Sequence, residues 1–165
     1  MVFWFFGYPG IGKDFCAEKL SKLAKIPHVD ADDFLTDLDK NKLTSGTFGD
    51  EDRIKKLTRI IIYMKSLKYP NLTIGDSLPT ETARKFVLES LGENVVLILV
   101  RSDPKIHQER IRERRGHFFR EEYLDSWIKK HWQEVKVDHL DLENVKGKLE
   151  EQLLRIYNQF ITSKK

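Results

Sequence analysis

Five apolar side chains in a row, Val2-Phe3-Trp4-Phe5-Phe6, run without interruption into Gly7-Tyr8-Pro9-Gly10-Ile11-Gly12-Lys13. A strand that is apolar on both faces has to be covered on both faces, a condition met by the central strands of parallel sheets. The G-x-x-x-x-G-K spacing that follows is that of a Walker A loop, which needs a strand before it and an amphipathic helix behind it. Cys16, Leu20, Leu23 and Ala24 share the face that such a helix would bury. The opening of the chain therefore reads as a strand-loop-helix unit of an α/β fold.

The rest of the chain continues the alternation of strand-length apolar runs with helical periodicity. Val95 to Val100 is a second continuous run, and shorter strands are expected at Ile26 to Val29, Asn71 to Gly75 and around Val137 to Leu140, five in all. Ile54, Leu57, Ile61 and Met64 mark a helix face, as do Ala83, Phe86 and Val87 before Gly92, and Leu149, Leu153, Ile156, Tyr157 and Phe160 near the C-terminus. Thr44 to Asp50 and Arg115 to Glu121 read as loops.

Composition narrows the function classes. The 165 residues suit one domain, and 40% hydrophobic with 33% charged residues fits neither a disordered nor a fibrous chain. Absence of a long apolar run disfavours a membrane span, and Val2 to Phe6 is too short for a signal peptide, so no membrane partner is expected. The single cysteine, Cys16, suits a reducing compartment, and the reading is a cytoplasmic protein, monomeric or homodimeric. A net charge of +3 falls short of the basic excess that phosphate-backbone binding requires, so nucleic acid is disfavoured as a partner.

The loop carries the first chemistry. Its glycines let the N–H groups from about Gly10 to Asp14 converge at a helix N-terminus, where the dipole also favours an anion. Gly7, Pro9, Gly10, Ile11, Gly12, Lys13, Asp14 and the adjoining Phe15 are therefore the candidate ATP site, with Lys13 bridging the β- and γ-phosphates. Asp14 stands where a Ser or Thr would ligate Mg²⁺. Three readings follow: Asp14 ligates the metal itself, it repels the γ-phosphate and suppresses turnover, or it only complements the helix dipole.

Asp30, Asp32 and Asp33 end the second expected strand, at the edge where α/β sheets bind ligands. There a carboxylate can accept the proton of an attacking hydroxyl. Asp32 is the candidate for that role, and Asp33 reads as the N-cap of a helix beginning at Phe34. Asp76, after the third strand, is a candidate metal partner beside Asp14. His28, His131 and His139 read as packing or surface residues, as do Trp127 and Trp132.

Taken together, Gly7 to Lys13, Asp30-Ala31-Asp32, Lys42-Leu43-Thr44-Ser45-Gly46 leading to Asp50-Glu51-Asp52-Arg53, and Arg114-Arg115-Gly116-His117-Phe118-Phe119 resemble the small P-loop kinases of the gluconokinase and shikimate kinase type, gluconokinases above all. The resemblance runs to about residue 140. It implies a three-layer P-loop fold with a parallel sheet of order near 2-3-1-4-5, a substrate-binding helical segment at about 33–69 and a lid at about 110–125. It also implies phosphotransfer from ATP with Mg²⁺ to a hydroxyl of a small polar metabolite, gluconate or a similar sugar acid first. By this resemblance Asp30, Asp32, Arg53 and His117 bind the substrate, Arg110 the nucleotide, and Arg114 neutralises developing charge. Departures at Asp14 and at Asp33-Phe34-Leu35-Thr36 keep two alternatives open: a nucleotide-binding protein with little catalysis, or a kinase for nucleotides or polynucleotide 5′-hydroxyls.

Overall fold

The computed structural model describes residues 1–113 and 121–162. Strand β1 (Val2–Phe6) is buried at all five positions and is the centre of a five-stranded sheet. It pairs in parallel with β3 (Leu72–Gly75) on one side and β4 (Val95–Arg101) on the other. Outer strands β2 (His28–Asp30) and β5 (Leu140–Glu143) complete the order β2-β3-β1-β4-β5, parallel throughout. All carboxyl ends therefore lie along one edge, where α/β sheets place their ligand crevice.

Alternation along β1 divides the core. Val2, Trp4 and Phe6 face a layer containing α3 (Asp50–Ser66) and α4 (Glu81–Leu91), with Leu57, Ile60, Ile61, Ala83 and Val87 buried. Phe3 and Phe5 face the opposite layer, built from α1 (Lys13–Ala24) and α7 (Leu149–Thr162) through Cys16, Leu20, Leu149 and Leu153. A helix α2 (Asp37–Ser45) precedes α3, and α5 (Pro104–Glu113) and α6 (Glu121–His131) lie between β4 and β5. No described helix is long and apolar enough to cross a membrane.

Several boundaries differ from the sequence reading. The fifth strand lies three residues later, because Leu140-Asp141-Leu142-Glu143 pairs with Ile98 to Arg101 and only Leu142 points fully into the core. Such an alternating edge strand lacks the continuous apolar run of β1. The second strand starts at His28; Pro27 contributes a carbonyl to Thr73 N and has no N–H of its own to donate. Asp33 is not the cap of the next helix. Thr36 caps α2, its hydroxyl accepting from Asp39 N while the Asp39 carboxylate accepts from Thr36 N. The loop expected over Thr44 to Asp50 shortens to residues 46–49, since Gly46 ends α2 with φ 71° and α3 begins at Asp50. The 115–121 loop lies almost wholly outside the described residues.

Arg84 ties the α4 layer to the chain beyond α6. Its fully buried guanidinium donates to the carbonyls of Leu78 and Pro79, both at 3.0 Å, and of Gln133 and Glu134, both at 2.9 Å. Glu81 supplies a carboxylate at 3.3 Å, and the guanidinium carbon lies over the Trp132 ring at 4.9 Å. Removing the donor strands buried carbonyls that cost about 1–3 kcal/mol each. Arg84→Met should therefore lower unfolding free energy by about 3 kcal/mol or more in urea titration; a loss under about 1 kcal/mol would contradict this role.

Candidate active site

The Walker-type loop is shaped by bonds that pull its carbonyls away from its hollow. Gly10 and Gly12 adopt φ values of 78° and 92°, a region that side chains other than glycine's resist. The Ile11 carbonyl accepts from Asn144 Nδ2 at 3.1 Å and Arg110 Nη1 at 3.3 Å, and the Pro9 carbonyl is bonded to His107 Nε2 at 2.7 Å. A Cβ on Gly12 would stand 2.4 Å from Asn144 Nδ2, so the same contact that clamps the loop excludes a side chain there. The first turn of α1, which starts at Lys13, has no intrahelical partners for its leading N–H groups and presents them to the hollow.

Lys13 and Asp14 occupy the next positions as an ion pair, Nζ to Oδ2 at 3.1 Å. The Asp14 side chain leans on the end of β3: a Cβ on Gly75 would lie 2.3 Å from Asp14 Oδ1. Residue 75 must be glycine for a carboxylate at position 14 to take this course. Asp76 follows directly, so Asp14 and Asp76 flank one edge of the phosphate hollow. Two carboxylates, phosphate oxygens and water form a suitable donor set for Mg²⁺, which keeps several waters and takes one or two carboxylates. Among the described residues no group of three or more His, Cys, Asp or Glu gathers into a self-contained metal cage.

The hollow opens into a cavity of about 190 Å³ lined by Lys13, Asp14, Asp32, Arg53, Lys56 and Asp76 at its polar end. Leu35, Leu43, Phe48, Leu57, Leu78 and Trp127 are among its apolar walls. Asp32 rides on the 3-10 turn Ala31–Phe34, which Asp30 caps by accepting from Asp32 N at 2.8 Å. Asp30 thus spends a carboxylate oxygen on the turn that carries Asp32. The surrounding walls push the Asp32 carboxyl above its ordinary pKa by desolvation, with Lys56 opposing, Asp76 assisting, Lys13 opposing and Asp30 assisting. Its side chain is still 74% exposed, so it behaves as a partly walled group at the cavity mouth and not as a buried one.

Arg53 enters from the first turns of α3. Its guanidinium lies over the Phe48 ring at 5.2 Å and donates from Nη2 to His131 Nδ1 at 3.4 Å, while its buried Nε has no hydrogen-bond partner among the described residues. Asp50 Oδ1 lies 3.7 Å away, too far for a hydrogen bond. A guanidinium held against a cavity with a donor to spare is equipped for an incoming carboxylate or phosphate.

Of the residues picked from sequence, the structure brings together Lys13, Asp14, Asp32, Arg53 and Asp76 around the cavity, and sets Arg110 on the loop at Ile11. Phe15 is exposed on α1, and its side chain does not line the cavity. Arg114 and His117 lie outside the described residues. Lys56, Asn144, His107, His131 and Trp127 carry contacts that sequence reading did not assign to the site. Lys56 stands beside Lys55 in the sequence and resembles a solvated pair; the other contacts join distant parts of the chain. Burial pushes the Cys16 thiol up to about 12, which leaves it unreactive.

No family model matches the sequence, and no curated protein matches it. Solved structures do match. A gluconokinase from Sinorhizobium meliloti 1021 superposes with a TM-score of 0.76 at 18% identity, covering 98% of this chain and 97% of that one. The fold is that of the small P-loop kinases. A sugar kinase from Janibacter sp. HTCC2649 gives 0.75 at 19% identity, with 98% and 94% covered. An APS kinase from Mycobacterium tuberculosis, solved with AMPPNP and APS, gives 0.68 at 16% identity, with 98% and 96% covered.

Two predictions follow from the geometry. Gly75→Ala should displace Asp14 and weaken binding of a Mg²⁺-bound ATP analogue by about tenfold (about 1.4 kcal/mol) in calorimetry, and unchanged affinity would contradict the packing of Asp14 on Gly75. Desolvation, then Arg53 and Lys130, lowers the His131 pKa below its ordinary value. Folding thus favours the neutral ring, and this part of the stability is present above about pH 6.5 and is lost as pH falls through the folded value. The urea midpoint should drop more from pH 7.5 to 5.5 in the native protein than in His131→Gln; equal drops would contradict it.

Proposed function

We propose that this chain is an ATP-dependent phosphotransferase that moves the γ-phosphoryl group to a hydroxyl of a small anionic metabolite, gluconate or a similar sugar acid first. The observation that carries this reading is the continuity of the phosphate hollow with a cavity where Lys13, Asp32 and Arg53 meet. In the proposed reaction the loop N–H groups and Lys13 hold the phosphates, and Arg53 pairs with the acid group of the acceptor. Asp32 accepts the proton of the attacking hydroxyl as the new P–O bond forms. The bond to the β-phosphate breaks in line, ADP leaves with the electron pair, and the proton passes from Asp32 to water. Asp14 and Asp76 would hold Mg²⁺, which when bound would supply charge neutralisation at the phosphates.

Size and lining support a small acceptor. A cavity of about 190 Å³ lies below the ~300–1,000 Å³ usual for drug-sized ligands, which favours a metabolite over a nucleotide or polynucleotide end.

A second reading has one observation behind it. With Asp14 at 3.1 Å from Lys13 Nζ, the lysine's charge is already met by protein, as in a nucleotide-binding module with little turnover. Asp14→Ser separates the two: a loss of turnover supports Asp14 as a metal ligand, and a large gain supports the disabled module.

The direct test is Mg²⁺-dependent ADP release across gluconate, shikimate, nucleoside monophosphates and a 5′-hydroxyl oligonucleotide. One small acid should stimulate release, and Lys13→Ala should abolish the stimulation by about 100-fold or more. Measurable ATP binding with no stimulation by any acceptor would sink the kinase reading.

A further inference from the structure

Lys56 is a charged side chain that the reaction just described leaves without a role. Its side chain is 8% exposed, although a lysine on a surface helix can ordinarily carry its ammonium out to water. The adjacent Lys55 does so, pairing with Glu51 in solvent at 2.6 Å. Lys56 instead turns inward, where a buried ammonium is costly unless it is paired. Its Nζ donates to Asp76 Oδ1 at 3.2 Å and stands 3.8 Å from Asp32 Oδ1. Ser77 N donates to the same Asp76 oxygen at 2.8 Å, so the Lys56 ammonium is pinned from below by an acid that is itself fixed. One further hydrogen bond from Nζ would reach the cavity mouth, where Asp32 is the acid at hand.

We propose that Lys56 is a positioning residue of the acceptor site: anchored on Asp76, its ammonium holds the Asp32 carboxylate ionised and turned toward the hydroxyl to be phosphorylated. This rests on the kinase reading for what Asp32 does, but not for the Lys56–Asp32 coupling itself. The groups facing Asp32 are Lys56 from α3, Asp76 after β3, Lys13 from α1 and Asp30 at the end of β2. Among the described residues Lys56 is the nearest cation, and without it two acids would face Asp32 with Lys13 alone of these opposing them. Lys13 is already engaged by Asp14 and will be engaged by phosphate when nucleotide binds, so it cannot substitute.

The coupling is read by carboxyl-carbon NMR titration of Asp32 in the nucleotide-free, Mg²⁺-free protein, with Asp32→Asn fixing the assignment. Lys56→Met should raise the Asp32 midpoint by about one pH unit or more, and Lys56→Arg should leave it near the native value. Lys56→Gln, which keeps a donor toward Asp76 without the charge, serves if the methionine variant does not fold, and should show the same rise. With an acceptor that stimulates the native protein, loss of the charge should lower kcat about tenfold or more, leave KM for ATP unchanged, and move the acidic limb of kcat/KM to higher pH, with partial rescue by arginine. An unmoved Asp32 midpoint in both uncharged variants overturns the proposal even if an acceptor stimulates ADP release. A raised midpoint in a protein that no acceptor stimulates upholds the coupling and defeats the kinase reading instead.

Discussion

Strand β1 is apolar on both faces, and water has to be kept from both. That demand draws α3 and α4 over Trp4 and Phe6 and α1 and α7 over Phe3 and Phe5. Each large side chain so covered contributes about 1.5–3 kcal/mol of burial. Covering a central strand on two faces fixes where its carboxyl end emerges, between β3 and β4 at the edge of the sheet. The glycine loop is continuous with that end, so the phosphate hollow inherits its position from the packing of β1. Asn144, Arg110 and His107 then turn the loop carbonyls outward, leaving the hollow to N–H groups and Lys13.

Charge at the site is balanced before any ligand enters. Lys13, Arg53 and Lys56 line the cavity together with Asp14, Asp32 and Asp76. Lys13 is paired with Asp14 and Lys56 with Asp76, so the cation nearest the phosphate hollow is not free to meet a phosphate while Asp14 holds it. If Asp14 served as a metal ligand, as proposed, its carboxylate would have a stronger partner than Lys13, whose ammonium would then be free for phosphate. Under that proposal, an Asp at position 14 would tie nucleotide binding to the metal more tightly than a hydroxyl there would.

Much of the frame was legible in the sequence. β1, β4 and the helices α1, α3, α4 and α7 declare themselves through unbroken apolar runs or three-and-four spacing, and the loop through its glycines. Strand β5 was displaced in the reading because an edge strand alternates, and Val137 is apolar without being paired. Helix α2, expected from Phe34 with Asp33 as its cap, begins at Asp37, because its start rests on the Thr36–Asp39 capping box and the Arg59–Asp39 ion pair, not on an apolar face. The site residues in the segments that directly follow strands β1, β2 and β3, namely Lys13, Asp14, Asp32 and Asp76, follow from topology. Asn144 and Lys56 do not: the first reaches Ile11 across 133 positions of sequence, and the second is separated from an exposed neighbour only by which way the helix turns it.

The proposal that Asp14 would exchange Lys13 for a metal is tested most directly by calorimetric titration of a non-hydrolysable ATP analogue with and without Mg²⁺. Binding at least about tenfold tighter with Mg²⁺, a gain of about 1.4 kcal/mol, is the expected result. Equal affinity in the two conditions would mean that Asp14 stays on Lys13 and that the loop binds nucleotide without engaging a metal through this carboxylate.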